Sequence, residues 1–435
     1  MLKAMLPLIP RRLGISLGVV KAYDEELFRR ASDFHFPDTI HDVAFRNGET
    51  DLVSPWVQDY LKSGTAGRDR RILVTRLLYE GSAENGVLFR PLLDSLREER
   101  FVRSKLSWEG GDLQFVRHPR DPEKTVLFYG NAGKNYWARL LTAEEYRYVL
   151  KLEFGAEEAV RLSDLAPHVD YFISFIPNEN IALVSEAERG NIALALGALR
   201  ALRERFGDAA PPSLGELERL LSLPESEIRK NVGAVKRALQ QAKNAEWPDQ
   251  MDPALGARIQ RYVEQHCPRV QANCMSLVGR RKMLAEDPEL FRDWTTAGWA
   301  AKSQNVFVPY SLALVESQLP GFPNRLKDRM EEKVGEVEAL GFRVIRVPRV
   351  SGEADLGLPW AGISYVNNLL VDNLLFVPAF GLGPAEDQIF ERLERALPEP
   401  YRVIPIFSRH MILYNGGVHC IVGIVRTPEP SSHTE

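Results

Sequence analysis

A cysteine follows a glycine pair closely in the segment NGGVHC, which spans residues 415–420 and leads into the apolar run HCIVGIV. Because glycine adopts backbone conformations closed to other residues, Gly416 and Gly417 allow a tight turn and a close approach to a ligand. A cysteine at the start of a strand after such a turn presents its sulfur at the rim of a sheet, where a thiolate can act as a nucleophile. The alternative for Cys420 is burial as a small apolar side chain, which is the state of most free cysteines.

A histidine and a carboxylate lie two residues apart in the segment PHVDYFISFIP, residues 167–177. In an extended strand, residues i and i+2 point to the same side, so the spacing predicts that His168 and Asp170 share one face. A histidine beside a carboxylate can move protons next to an anion that binds a cation. The alternative is a pair of surface residues at the entrance of a strand.

Two further segments supply carboxylates. The segment WVQD, residues 56–59, combines the ring of Trp56 and an amide with Asp59, and the segment WEGGD, residues 108–112, places Glu109 and Asp112 on either side of a glycine pair. An ordinary turn explains the first segment, and a tight hairpin explains the second equally well. Each of the two is a weak signal by itself.

Taken together, these segments resemble the guanidino-group-modifying enzymes of the pentein superfamily. The segment HVDYFISFIP is closest to the His-x-Asp strand of protein-arginine deiminases, and WVQD and NGGVHC resemble motifs of that family in the same order along the chain. EGGD resembles a segment of arginine deiminases and dimethylarginine hydrolases, and SYVNNLLVDNLLFVPAFG, from Ser364, resembles a module of agmatine deiminases. The resemblance covers roughly residues 50–185 and 305–425. It implies a five-bladed, pseudo-symmetric α/β propeller of ββαβ modules with the active site in a central channel.

The chemistry of a guanidinium group agrees with this resemblance. The group is planar, cationic and poorly electrophilic, so an enzyme needs a fork of carboxylates to bind it, a thiolate to attack it and an acid to protonate the departing nitrogen. The resemblance assigns the fork to Asp59 and Asp170, the thiolate to Cys420, and proton transfer to His168. Glu109 and Asp112 are reserve candidates for the fork, and substrate contacts are predicted for Trp56 and Gly417.

The leading hypothesis is a cysteine-dependent hydrolase that converts arginine in a peptide or protein to citrulline and ammonia through a thiouronium intermediate. The alternatives within the same fold are a deiminase of agmatine or free arginine, and an amidinotransferase. A binding protein without enzymatic activity is the hypothesis from another class. No metal or organic cofactor takes part in this chemistry, and the resemblance brings in calcium only by analogy with mammalian protein deiminases. No EF-hand loop is present in the sequence.

The elements that must position these residues are short apolar runs alternating with helical patterns, which indicates an α/β or α+β fold. Nine runs are predicted strands: RRILVTRLLY, TVLFYG, YFISFIP, IALVSE, NVFVPY, FRVIRVP, LLFVPAFG, YRVIPIF and HCIVGIV. Residues 191–303 break this alternation and predict an all-helical insertion within one catalytic domain of residues 1–435. Within it, Ser213 and Ser222 have capping-box spacing with glutamates three residues later and predict helix starts.

The bulk composition excludes several classes of function. The 55 basic and 59 acidic residues give a formal net charge of -4 and no concentrated basic field, which argues against nucleic-acid binding. The three cysteines form no CxxC pair, so neither a disulfide framework nor a zinc site is predicted. Charges and prolines interrupt the first twenty residues, so we expect neither a membrane span nor an export signal, and therefore a cytoplasmic protein.

Overall fold

The computed structural model describes residues 5, 8, 17–19, 40–42, 61–66, 69–74, 101–104, 106, 108–130, 141–162, 168–176, 179–187, 190–247, 253–266, 287, 289–290, 308–320, 327–350, 363–408 and 418–419. All structural statements below concern these residues. Four residues predicted for the site lie outside them: Trp56, Asp59, Gly417 and Cys420. The strand predicted from HCIVGIV also lies outside the described residues beyond His419.

The strands form five sheets in the described part of the chain. In chain order they are β1 (Leu17–Val19), β2 (Ile40–Asp42), β3 (Leu61–Ala66), β4 (Asp69–Val74), β5 (Phe101–Arg103), β6 (Leu113–His118), β7 (Asp121–Tyr129), β8 (Glu158–Arg161), β9 (Ile173–Ile176), β10 (Ile181–Ala187), β11 (Arg343–Val350), β12 (Ile363–Ser364), β13 (Leu369–Val371), β14 (Leu374–Ala379) and β15 (Arg402–Phe407).

The helices are α1 (Ala143–Phe154), α2 (Ile192–Phe206), α3 (Pro212–Leu221), α4 (Glu225–Lys230), α5 (Val232–Asn244), α6 (Pro253–His266), α7 (308–318), α8 (Lys327–Ala339) and α9 (Pro384–Ala396). The start of α1 is fixed by a capping box, in which Thr142 accepts from the backbone of Glu145 and Glu145 accepts from the backbone of Thr142. The helix ends at Gly155, whose φ of 63° is a conformation that favours glycine.

One strand pattern recurs in four of the sheets. An antiparallel pair is followed by a parallel third strand in β3-β4-β5, β6-β7-β8, β9-β10-β11 and β13-β14-β15. Because a parallel connection needs a long crossover, helices occupy these connections: α1 lies between β7 and β8, α2 to α8 between β10 and β11, and α9 between β14 and β15. The mixed α/β class predicted from the sequence is confirmed, and the ββαβ order is present in three sheets.

The contacts divide the chain into two compact units. Unit 1 comprises residues 1–170, 177–180 and 419–435, and unit 2 comprises residues 171–176 and 181–418. The core of unit 1 packs sheet β6-β7-β8 against α1 through Trp108, Leu113, Leu127 and Leu150, all buried. The core of unit 2 is one cluster to which strands β10, β11 and β14 and helices α2, α3, α5, α7 and α9 all contribute.

The helical stretch predicted for residues 191–303 consists of helices and connecting turns in its described ranges 191–247, 253–266, 287 and 289–290. Its helices α2 to α5 bury their apolar faces in the same core as the strands of unit 2. In α2, a Cβ at Gly197 would lie 2.0 Å from the carbonyl oxygen of Leu382, so only glycine permits this close approach. The predicted insertion and the predicted single domain stay predictions.

The strand predicted from NVFVPY is wrong where the structure describes it, because Val308, Pro309 and Tyr310 lie in helix α7. Side chains from Val308 to Leu319 are buried around most of this helix. A helix buried on most sides has no amphipathic period, and a short apolar run then looks the same as a buried strand.

The described helices include none long and apolar enough to cross a membrane.

The two helix starts predicted at serines are also wrong. Ser213 lies inside α3, which begins at Pro212, and Ser222 follows the end of that helix and donates its hydroxyl hydrogen bond to the carbonyl of Glu218. Helix α4 begins after Pro224. Proline suits the first turn of a helix because its missing N–H would have no partner there, and this signal overrides the serine spacing.

Candidate active site

The segment that carries His168 and Asp170 is a turn and not the predicted strand. A 3-10 turn spans Val169–Tyr171, and strand β9 begins only at Ile173. The pairing of β9 with β10 runs from Ile176 to Ile173, and one further backbone bond joins the N–H of Ser185 to the carbonyl of Phe172, after which the turn begins. The prediction that the two side chains share a face through the period of a strand is therefore wrong.

Side chains hold the backbone where this turn ends. The carbonyl oxygen of Tyr171 accepts hydrogen bonds from Ser185 Oγ at 2.8 Å and Ser364 Oγ at 3.1 Å, and the buried Arg349 Nη1 lies 3.4 Å from it. Buried backbone carbonyls need partners, and here side chains supply them in place of a neighbouring strand. These contacts stabilise the end of the turn at Tyr171 through side chains that are distant in sequence.

Glu109 and His168, which are 59 residues apart in sequence, contact each other in unit 1. Glu109 is the extended residue before the 3-10 turn Gly110–Asp112, and its Oε2 lies 2.5 Å from Nε2 of His168. The His168 side chain is buried, whereas that of Glu109 is 29% exposed. A carboxylate at this position fixes the orientation of the imidazole through its contact with Nε2. Glu109 therefore supports the residue for which the motifs predict proton transfer, and its own predicted contact with substrate stays a prediction.

Asp112 lies in a tyrosine-lined part of the core of unit 1. It is buried at the end of the 3-10 turn that leads into β6, so EGGD is not the hairpin turn that the sequence left open. Burial, and after it the negative charge of Asp112, raises the pKa of Tyr146 far above its usual range. Burial likewise raises the pKa of Tyr129. The predicted contact of Asp112 with substrate stays a prediction.

His419 and Gln114 belong to the same cluster although the sequence did not single them out. His419 Nδ1 lies 3.5 Å from Oδ2 of Asp170 and 3.4 Å from Nε2 of Gln114, which projects from β6. Asp170 is 0% exposed. The sequence could have pointed to these two residues only through their neighbours: His419 directly precedes Cys420, and Gln114 follows Asp112 by two residues.

Three segments that are distant in sequence thus meet within unit 1. Two imidazole–carboxylate contacts result, Glu109 with His168 and Asp170 with His419. Such a cluster can transfer protons and can offer negative charge to a cation. Among the residues described, no group of three or more His, Cys, Asp or Glu side chains is arranged to hold a metal ion.

Comparison with known proteins finds similarity mainly in the C-terminal part. Residues 324–423 match the family model of Porphyromonas-type peptidyl-arginine deiminases. A Shewanella baltica protein provisionally named agmatine deiminase is 36% identical over 100 residues, which are 23% of this chain and 23% of that protein. A Marinomonas protein with the same provisional name is 38% identical over 58 residues, which are 13% of this chain and 15% of that protein. The matches therefore span less than a quarter of either relative.

The fold is similar over a much larger part of the chain. The solved structure of C. jejuni agmatine deiminase aligns with 96% of this chain and 84% of its own, with a TM-score of 0.50 and 14% identity. At this identity the likeness concerns the fold alone. The chain therefore resembles the guanidino-group-modifying deiminases, as its motifs predict, with the fold of an agmatine deiminase and a C-terminal segment like that of Porphyromonas-type peptidyl-arginine deiminases.

Proposed function

We propose that this chain hydrolyses the guanidinium group of a small guanidino compound, with agmatine as the first candidate, through a covalent intermediate on Cys420. The observation that carries the proposal is the meeting of EGGD, HVD and the histidine before Cys420 in one cluster. All three belong to motifs that carry the resemblance. The provisional names of the relatives and the shared fold favour agmatine over the peptidyl arginine predicted from the sequence.

The proposed reaction begins when the Cys420 thiolate attacks the guanidinium carbon. Asp59 and Asp170 hold the planar cation so that its carbon faces the sulfur, since a carboxylate pairs with a guanidinium in a defined plane. One C–N bond then breaks, and His168 donates the proton that lets ammonia leave. Cys420 remains bound to the amidine carbon as a thiouronium.

Water completes the proposed cycle. His168, now neutral, removes a proton from water as it attacks the thiouronium carbon, and the C–S bond breaks to give a urea and the thiol group. Glu109 accepts a hydrogen bond from His168, so it stabilises the imidazolium before ammonia leaves and again after water attacks. No step of this cycle requires a metal ion.

Arginine in a peptide or protein is the second candidate substrate, because residues 324–423 match the model of peptidyl-arginine deiminases. The five-bladed propeller implied by the motifs is also part of our proposal. The recurring ββαβ order supports it, since four sheets repeat the same antiparallel-then-parallel strand pattern.

The test is an assay of ammonia release and urea formation on agmatine, free arginine and a blocked arginine ester, with the Cys420→Ala variant as the control. We expect agmatine to yield ammonia and the corresponding N-substituted urea in equal amounts, and no turnover by the variant. Faster turnover of the ester would favour the peptidyl-arginine candidate. Product that forms only when an amine acceptor is added would identify an amidinotransferase, and inactivity on all three substrates would contradict the proposal.

A further inference from the structure

We infer that His419 is a positioning residue that holds the Asp170 carboxylate, and that Gln114 holds the His419 ring in turn. The inference rests on the proposed function, because it assigns a task within the proposed reaction. It starts from the burial of Asp170, which is 0% exposed. An ionised carboxylate loses its hydration on burial, and a nearby donor or cation must compensate for that loss.

The imidazole of His419 lies at the appropriate place for this task. Its Nδ1 is 3.5 Å from Asp170 Oδ2, and its side chain is only 16% exposed. Because Nδ1 faces an anion, the tautomer with the proton on Nδ1 is favoured. At this distance the contact is mainly electrostatic and not a tight hydrogen bond. The orientation of the ring therefore determines how strongly the Nδ1–H group stabilises the Asp170 carboxylate.

Gln114 supplies that orientation from strand β6. Its side-chain amide nitrogen is 3.4 Å from the same Nδ1 atom. The nitrogen and oxygen of an amide are interchangeable by rotation of the group, so the amide oxygen faces a protonated Nδ1 after such a rotation. Asp170 and Gln114 then face the Nδ1–H group from a turn and a strand, and together they limit rotation of the ring.

The contact between His419 and Asp170 bears on Cys420 because His419 is its neighbour in the sequence. His419 directly precedes Cys420, and consecutive Cα atoms are about 3.8 Å apart. A ring fixed to Asp170 therefore restrains the peptide that carries the proposed nucleophile relative to the proposed guanidinium anchor.

The test compares His419→Asn with His419→Phe. The amide of asparagine can place an N–H near the position of Nδ1, whereas phenylalanine fills the space of the ring without a donor. His118→Asn is the matched control, since His118 Nε2 lies 3.7 Å from Glu158, a half-exposed partner in the sheet β6-β7-β8 of the same unit.

We expect His419→Phe to lower kcat/KM by about 100-fold, mostly through kcat, because a small misplacement of the reacting groups is costly. His419→Asn should stay within about 10-fold of the wild type, since it retains a donor toward Asp170. The His118→Asn variant should be as active as the wild type. Thermal unfolding of each variant shows whether the protein is still folded.

A second readout does not depend on turnover. Chloroacetamidine is a cationic reagent and iodoacetamide a neutral one, so the ratio of their rates with Cys420 reports how well the carboxylates guide a cation to the thiol. His419→Phe should lower this ratio and His419→Asn should preserve it. A His419→Phe variant with wild-type kinetics and wild-type ratio would overturn the inference, as would an asparagine variant as impaired as the phenylalanine variant.

The failures of the two proposals are distinguishable. A wild-type protein that prefers the cationic reagent but turns over no guanidino substrate would contradict the proposed function, while the labelling ratios of the variants still test His419. An active wild type whose His419 variants match it in both readouts would contradict the inference alone. A wild-type protein with neither activity nor preference for the cationic reagent would overturn both.

Discussion

Two buried carboxylates, Asp170 in unit 1 and Glu386 in unit 2, lie beside different kinds of chemical group. Glu386 is 3% exposed near the start of α9 and accepts four hydrogen bonds, from the backbone N–H groups of Phe380, Gly381 and Leu382 and from the hydroxyl of Tyr365. Asp170 is more deeply buried, and the imidazole of His419 lies 3.5 Å away. One carboxylate is held chiefly by the backbone, and the other lies beside a group that can gain or lose a proton.

The difference shows how the same chemical group serves two purposes. Backbone N–H groups in a fixed loop cannot change their charge, so Glu386 fastens the loop before α9 to the start of that helix. A carboxylate beside a histidine can exchange a proton with it, and it can turn a negative oxygen toward a cation. We therefore expect substitution at Asp170 to affect activity, and substitution at Glu386 to affect stability.

The largest effect is expected from Asp170→Asn. The change preserves the size of the side chain but removes the charge that the proposed mechanism uses to hold the guanidinium. The loss should be on the order of 2–5 kcal/mol in transition-state stabilisation, measured as the change in kcat/KM for agmatine. Chemical denaturation should show a much smaller loss of folding stability. A different result would contradict the contrast with Glu386: a large loss of folding stability in Asp170→Asn, with a wild-type kcat for the fraction of the protein that is still folded.

A smaller effect is expected from Glu109→Gln, which replaces a charged partner of His168 with a neutral one. A hydrogen bond to a charged group contributes about 1.5–3 kcal/mol, so kcat should fall by the corresponding factor.

The comparison variant is His168→Gln, which should still bind substrate on a Cys420→Ala background while losing the step that protonates the departing nitrogen. Calorimetric titration of agmatine onto these variants would contradict the assignment if His168→Gln weakened binding as much as Asp170→Asn.

Glu386→Gln should have the opposite profile. One side-chain oxygen becomes an NH2 group, which cannot accept the bonds that the carboxylate accepts from the loop. The cost should be about 1–3 kcal/mol of folding stability. Denaturation in urea measures this cost, and kcat on agmatine should stay near the wild-type value. A loss of kcat without a loss of stability would remove the contrast with Asp170.

The pH dependence of stability gives a further, smaller signal at Glu386. Burial raises the pKa of this carboxyl above its ordinary value of 4.5, against the hydrogen bonds from the loop, which lower it. The folded state therefore holds the proton more tightly than the unfolded state does. Stability from this group falls as pH rises from 4.5 through the raised value. The difference in unfolding free energy between wild type and Glu386→Gln should narrow over that range, and a constant difference would contradict the raised pKa.

The elements that the sequence predicted well share a local signal. Strands β7, β10, β11, β14 and β15 appear where apolar runs of strand length are bounded by turn residues, and α9 lies between Pro384 and Pro398 as its pattern indicates. β10 is paired on both sides and its first four residues are buried, which gives a continuous apolar run. Patterns of this kind record burial directly, so they are readable from the sequence.

The failures came where tertiary contacts override local pattern. Helix α7 is buried on most sides, so its sequence looks like that of a strand. The carbonyl of Tyr171, where the 3-10 turn ends, accepts hydrogen bonds from Ser185 and Ser364, and Ser364 is 193 residues away in sequence. The motifs predicted Glu109, His168 and Asp170 as candidate site residues. Their pairing was not, because no spacing in the sequence links Glu109 to His168 or Gln114 to His419.

The most direct test of the central claim is acid quenching of the protein during turnover of agmatine, followed by peptide mass spectrometry. A covalent mechanism predicts an adduct with the mass of agmatine minus ammonia on the peptide that contains Cys420. The Cys420→Ala variant should carry no adduct and should lose at least about 10⁴-fold in kcat. Cys267→Ser and Cys274→Ser should form the adduct as the wild type does. An adduct on Cys267 or Cys274, or turnover by Cys420→Ala, would contradict the account.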